Sequence, residues 1–207
     1  MPKRRRTRRQ HNSHPVAATW IFVMILLVLG GGMLLRGRIK TEIQGGAVTQ
    51  TSSSAESGQS VAQQRFIKKM AAPAVRVYRE NGQVLPSIVI AQAILESSWG
   101  TSELFLQANN PFGVKGAYQG RTKSFPTTEY VNNKKVTVNA NFRDYPTLTA
   151  AILDHDALLK QNYFKGTVTD YRTAAKLLQS NGYATDPHYA RKLMNVIATY
   201  NLNQYDT

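Results

Sequence analysis

The chain has 207 residues, no cysteine and a formal net charge of +14. That length holds one domain of ordinary size with an appendage, and the missing cysteine excludes a disulfide framework, a thiolate zinc site and a cysteine nucleophile. The charge comes from 26 Lys+Arg against 12 Asp+Glu and divides evenly, with +7 in residues 1–60 and +7 in residues 61–207.

The first half of that charge is a block. Lys3, Arg4, Arg5, Arg6, Arg8 and Arg9 precede Val16–Leu35, a run of 20 residues without a charge. As a helix, such a run spans the hydrocarbon core of a bilayer, about 30 Å thick. Trp20 stands near its entry end, where an indole suits the interface. Six basic residues precede the run and three follow it (Arg36, Arg38, Lys40), which predicts a cytoplasmic N-terminus. A nucleic-acid arm is disfavoured because the block abuts a span, and a cleaved leader lacks a good small-residue cleavage site after the apolar run. The expected organisation is a basic cytoplasmic tail (1–15), a transmembrane anchor (16–35), a Gly/Ser/Thr/Gln-rich flexible linker (36–59) and one folded domain (60–207) outside the cell.

Within the domain, Ser60-Val61-Ala62-Gln63 fits a capping box. It predicts a helix with Phe66, Met70, Ala74 and Val77 on one face, kinked or divided at Pro73 and stopped by Asn81-Gly82. Pro86-Ser87 opens a second helix with Ser87 as N-cap, and its body is apolar nearly all round, the pattern of a buried helix ending at Gly100. A short helix is expected over 102–108. The stretch 109–116 carries turn residues. Strand patterns follow at 125–131 and 135–145, joined by Asn132-Asn133, with Val136, Val138, Ala140 and Phe142 alternating. Helices over 147–161, 169–179 and 187–200 close the chain, with Asp186 as N-cap before Pro187. The class is α+β: mostly helical, with a small β-hairpin lobe and an interior helix as hub.

Glu96 is the one charged residue between Pro86 and Gly100. Burial and the C-terminal end of a helix both disfavour its negative charge and raise its pKa. A carboxyl kept protonated near neutral pH is what a general acid requires. The competing reading is a structural Glu bonded to backbone or to a base. Asp154-His155-Asp156 invites a metal reading, but neighbours on a helix do not converge, so no metal or other cofactor is expected.

The string AQAILESSWGTSELFLQANNPFGVKG (91–116) resembles the signature of bacterial N-acetylglucosaminidases that cut cell-wall peptidoglycan, glycoside hydrolase family 73. The resemblance continues through TEYVNNKKVTVNANFRDY (128–145) and GYATDPHYARKL (182–193). It implies a lysozyme-like fold in which Glu96 is the catalytic acid and Glu129, on the hairpin, a second carboxylate across the cleft. Tyr183 matches a cleft tyrosine that assists catalysis or binding. Trp99, Phe112, Tyr118 and Tyr130 are candidates to stack on sugar rings. A carboxyl separation of about 6.5–9.5 Å would imply inversion and about 5–5.5 Å a covalent, retaining route, with attack by the substrate's 2-acetamido group a third possibility. The expected partners are peptidoglycan glycan strands, the membrane and anionic wall polymers. The expected activity is endo-β-N-acetylglucosaminidase; the alternatives are a muramidase or lytic transglycosylase, or a non-catalytic wall-binding module.

Overall fold

The computed structural model describes residues 51–131 and 134–207, with the backbone alone for 51–59, 129–131, 134 and 135. Helix α1 (Thr51–Asn81) turns Phe66, Ile67, Met70, Ala71, Ala74 and Val77 into the core. It is not divided at Pro73, which stands inside the one helix. The ring removes one donor, the partner of the Lys69 carbonyl; buried apolar side chains before and after it, Phe66 and Met70 on one side and Ala74 and Val77 on the other, keep both halves helical. The helix also begins upstream of the capping box at Ser60, so residues 51–59 of the expected linker are helical. A helix already nucleated over 60–81 propagates into a stretch that contains no proline.

Helix α2 (Pro86–Ser97) is the hub, with every residue from Pro86 to Ile94 buried. Ser87 is not its N-cap. Leu85 holds that position and Pro86 takes the first turn. The Ser87 N–H and hydroxyl instead donate to the two oxygens of Asp206, at 2.8 and 2.7 Å. This ties the start of α2 to the C-terminal end of the chain, and the carboxylate suits a helix N-terminus. After α2, Ser98, Trp99 and Gly100 all take left-handed conformations, and Ser97 Oγ accepts the Gly100 N–H at 2.8 Å. Helix α3 (Glu103–Ala108) follows, capped by the Ser102 hydroxyl.

Strands β1 (Thr122–Val131) and β2 (Lys134–Arg143) form one antiparallel hairpin, with Thr122 opposite Arg143 and Glu129 opposite Val136. Phe125 and Phe142 bury a small second core with Ala108. The hairpin is fixed at its base. Asn110 Nδ2 donates to the Val114 and Arg143 carbonyls, both at 2.9 Å, while its oxygen accepts the Val114 N–H at 3.0 Å. The Arg143 guanidinium reaches Asp154 on helix α4 (Leu148–Asn162), and the Tyr145 hydroxyl donates to the same carboxylate at 2.6 Å.

Helices α5 (Tyr171–Ser180) and α6 (Tyr189–Thr199) and a short 3-10 turn (Leu202–Tyr205) complete the body. α2 packs against α1, α5, α6 and that turn, and α4 packs against α1. Of Asp154-His155-Asp156, Asp154 turns to the hairpin, while His155 and Asp156 are buried together, with His155 Nδ1 3.3 Å from Asp156 Oδ1. Among the described residues no helix is long and apolar enough to cross a membrane. The expected basic tail (1–15), anchor (16–35), the first part of the linker and the Asn132-Asn133 turn lie outside the described residues.

Candidate active site

Glu96 occupies the last turn of α2 and is half-buried. The Tyr189 hydroxyl, from the start of α6, donates to Glu96 Oε1 at 3.3 Å. That hydroxyl in turn accepts from Gln92 Nε2 at 3.0 Å. Gln92 stands four residues before Glu96, on the same face of α2. Because the tyrosine oxygen accepts the hydrogen bond of the amide, its own O–H is directed at the carboxyl. Oε1 is therefore an acceptor, which leaves Oε2 as the oxygen free to carry the carboxyl proton. Burial pushes the Glu96 pKa up to about 8, against a smaller lowering from the Tyr189 bond. At neutral pH the carboxyl holds its proton.

Glu96 opens on a concavity walled by Leu95, Ala184, Thr185, Asp186, Tyr189 and Lys192. Asp186 is the second carboxyl of this wall. Lys192 Nζ lies 2.6 Å from its Oδ2 and the His188 N–H donates to its Oδ1 at 2.8 Å. These bonds hold its pKa below the ordinary carboxylate value. Asp186 closes a turn ahead of α6 and is not its N-cap, which is His188. The two carboxyl groups of one concavity are thus kept in opposite protonation states, as division of labour between acid and ion requires.

The expected site residues separate on inspection. Tyr183 is buried and its ring stacks on Tyr189, with centroids 5.4 Å apart, so it belongs to the wall behind Glu96. Trp99 is half-buried, edge-on to Tyr200 at 4.8 Å and to Phe66 at 6.3 Å, and packs over the end of α2. Phe112 is not a sugar platform: it is 1 % exposed and stacked on the His155 ring at 3.8 Å. Tyr118 is half-buried beside Tyr145, at 4.9 Å. Glu129 and Tyr130 sit on β1 opposite Val136 and Lys135; their side chains lie outside the described residues. Gln92, Tyr189 and Lys192 were not singled out from the sequence. The spacing of Gln92 from Glu96 was a usable signal. Tyr189 and Lys192 are remote in sequence and are brought in by the packing of α6 on α2.

Tyr189→Phe gives a direct check on this arrangement. It removes the bond that lowers the Glu96 pKa, so the alkaline limb of kcat/KM is expected to move to higher pH. It also strands the Gln92 amide, at a stability cost of about 1–3 kcal/mol. A pH–rate profile and a urea titration read the two effects. A limb that stays put or moves down would contradict the Glu96 assignment.

A mostly helical body, one hairpin lobe and a protonated glutamic acid at the end of the central helix define a lysozyme-like glycoside-hydrolase domain. The family model described as mannosyl-glycoprotein endo-beta-N-acetylglucosaminidase matches residues 72–202. The chain belongs to this glucosaminidase family. It is similar to the exo-glucosaminidase LytG of Bacillus subtilis, 43% identical over 152 residues, covering 70% of this chain and 54% of that protein. A probable N-acetylmuramidase of Lactococcus lactis is 35% identical over 187 residues, covering 85% of this chain and 42% of the relative. Among solved structures, the catalytic domain of the autolysin Auto from Listeria monocytogenes superposes with a TM-score of 0.65 at 34% identity, covering 78% of this chain and 100% of that one. The chain spans about half the length of the curated relatives it matches.

Proposed function

We propose that this protein is a membrane-anchored endo-β-N-acetylglucosaminidase. It hydrolyses the bond between N-acetylglucosamine and N-acetylmuramic acid in peptidoglycan, with Glu96 as general acid. The observation that carries this reading is the Glu96 carboxyl at the end of the buried helix, bonded by Tyr189 and opening on the concavity, where burial raises its pKa to about 8. Oε2 donates its proton to the glycosidic oxygen as positive charge develops at the anomeric carbon. Glu129 activates water from the hairpin side, and the carboxylate left on Glu96 is re-protonated from solvent. A non-catalytic wall-binding module has no use for a carboxyl whose burial is unfavourable at neutral pH.

The Val16–Leu35 run is the anchor, with the N-terminus in the cytoplasm and the domain facing the wall. The domain's excess of basic residues draws it towards anionic wall polymers. A muramidase is the second reading, and the Lactococcus lactis relative's name favours it. Borohydride reduction of peptidoglycan digested by the full chain separates the two. Reduced N-acetylglucosamine at the new ends, on fragments many disaccharides long, is the expected result. Reduced N-acetylmuramic acid would establish the muramidase, its anhydro form the transglycosylase, and release of single terminal sugars an exo-acting enzyme.

A further inference from the structure

The outward face of α1 has no role in the site described above. It carries Arg65, Lys68, Lys69, Arg76 and Arg79, all exposed. At about 100° per residue they fall on one arc of the helix, opposite the arc of Phe66, Met70, Ala74 and Val77. The row runs for about 21 Å along the helix axis. No acidic residue occurs between Ser57 and Arg79, and Glu80 stands at the far end.

Elsewhere in the domain several basic side chains meet carboxylates: Arg121 and Lys123 with Asp144, Arg143 with Asp154, Arg172 with Asp170, Lys192 with Asp186; the remaining ones, Lys165 and Lys176 among them, are not gathered in a row. Among the described residues Arg65, Lys68, Arg76 and Arg79 have no such partner. Lys69 alone is engaged, with its ammonium 4.7 Å from the Phe105 ring centroid. A row of unpaired cations repels itself, and a polyanion laid along it relieves that repulsion and releases its counter-ions.

We infer that the outer face of α1 is a docking surface for a linear, phosphate-bearing wall polymer laid along the helix. The shape of the surface selects a polymer over a membrane. A helix that lies in a lipid interface needs an apolar side to insert, and the apolar side of α1 is consumed by contacts with α2 and α4. Among the described residues of this helix Val61 is the one large apolar side chain exposed beside the cations; a single aliphatic side chain is too small an apolar side to insert, and the row matches a chain of phosphates instead. The surface would hold the domain against the wall while the concavity at Glu96 stays open. This inference gives a place to the anionic-polymer partner of the reading above. Its test involves no glycan cleavage, so its failure is distinct from failure of the hydrolase assignment.

The experiment is a lysine-acetylation footprint of the full chain in phosphatidylcholine nanodiscs, with and without long-chain inorganic polyphosphate, read by mass spectrometry. Lys68 is expected to be protected by about fivefold or more, with the protection lost as salt rises. Lys165 and Lys176, exposed on the opposite half of the chain, are expected to change by less than about twofold, by the same salt-dependent criterion. The triple variant Arg65→Gln, Arg76→Gln, Arg79→Gln should leave Lys68 unprotected. Equal protection of all three lysines would reduce the effect to bulk charge and overturn the inference, as would an unprotected Lys68. Phosphatidylglycerol vesicles at equal phosphate concentration should protect Lys68 more weakly than polyphosphate. Equal or stronger protection would assign the face to a membrane and overturn the polymer.

Discussion

Glu96→Gln is expected to lower peptidoglycan hydrolysis by about 10²–10⁴-fold, the range that general-acid catalysis supplies. The same substitution is expected to stabilise the fold above neutral pH. Burial raises the Glu96 pKa from 4.5 to about 8. Below 4.5 both the folded and unfolded chains hold this proton, and the group does not affect the balance. Between 4.5 and about 8 the folded chain keeps a proton that the unfolded chain has released, so stability falls as pH rises. Gln has no proton to lose and escapes that fall. The linkage limit for such a shift is about 5 kcal/mol. Glu96 is only half-buried and opens on the concavity, so a gain of about 2 kcal/mol at pH 8 is expected, vanishing near pH 4. Thermal unfolding at the two pH values measures it. An active variant, or an inactive one with no pH-dependent gain, would contradict the role given to this carboxyl.

Gly100→Ala is expected to cost about 2–4 kcal/mol, from left-handed strain and overpacking together. Gly100 has φ +75°, and a Cβ built there lies 2.5 Å from the Phe66 ring and 3.0 Å from the Phe105 ring. Phe66 cannot retreat freely, because its ring also meets Trp99 and Phe105 edge-on. The turn that would shift carries the Ser97 hydroxyl bond that closes α2 immediately after Glu96. Hydrolysis is therefore expected to suffer as well as stability. The measurement is a urea titration of Gly100→Ala, of Phe66→Leu and of the double variant. Phe66→Leu gives the added methyl room, so the double variant should lose less than the sum of the two single losses. Strict additivity, or a Gly100→Ala loss below about 0.5 kcal/mol, would show that the close approach carries no energy.

The sequence carried the hub helix and its acid because both depend on local pattern. An apolar run interrupted by one carboxylate reads as a buried helix with a perturbed group, and α2 with Glu96 is that. The hairpin was equally legible from alternation at Val136, Val138, Ala140 and Phe142. What failed depended on distant partners. Ser87 reads as an N-cap from its neighbours, but Asp206 claims its hydroxyl from the other end of the chain. Pro73 reads as a helix breaker, yet the contacts of Phe66, Met70, Ala74 and Val77 with the core outweigh one lost hydrogen bond. Phe112 stands within the turn-rich string 109–116 and is a candidate to stack on a sugar ring, but His155 of α4 stacks on it instead. Tyr189 and Lys192 enter the site only through the docking of α6, and no local pattern marks them.

A general acid at Glu96 requires that its carboxyl keep its proton in the folded protein at neutral pH. Carbon-13 NMR of the side-chain carboxyls of the full chain, with the Glu96 signal assigned by its loss in Glu96→Gln, measures this directly. A midpoint at about 8 is predicted. A midpoint near the ordinary glutamate value would leave the general acid ionised at neutral pH and contradict the account.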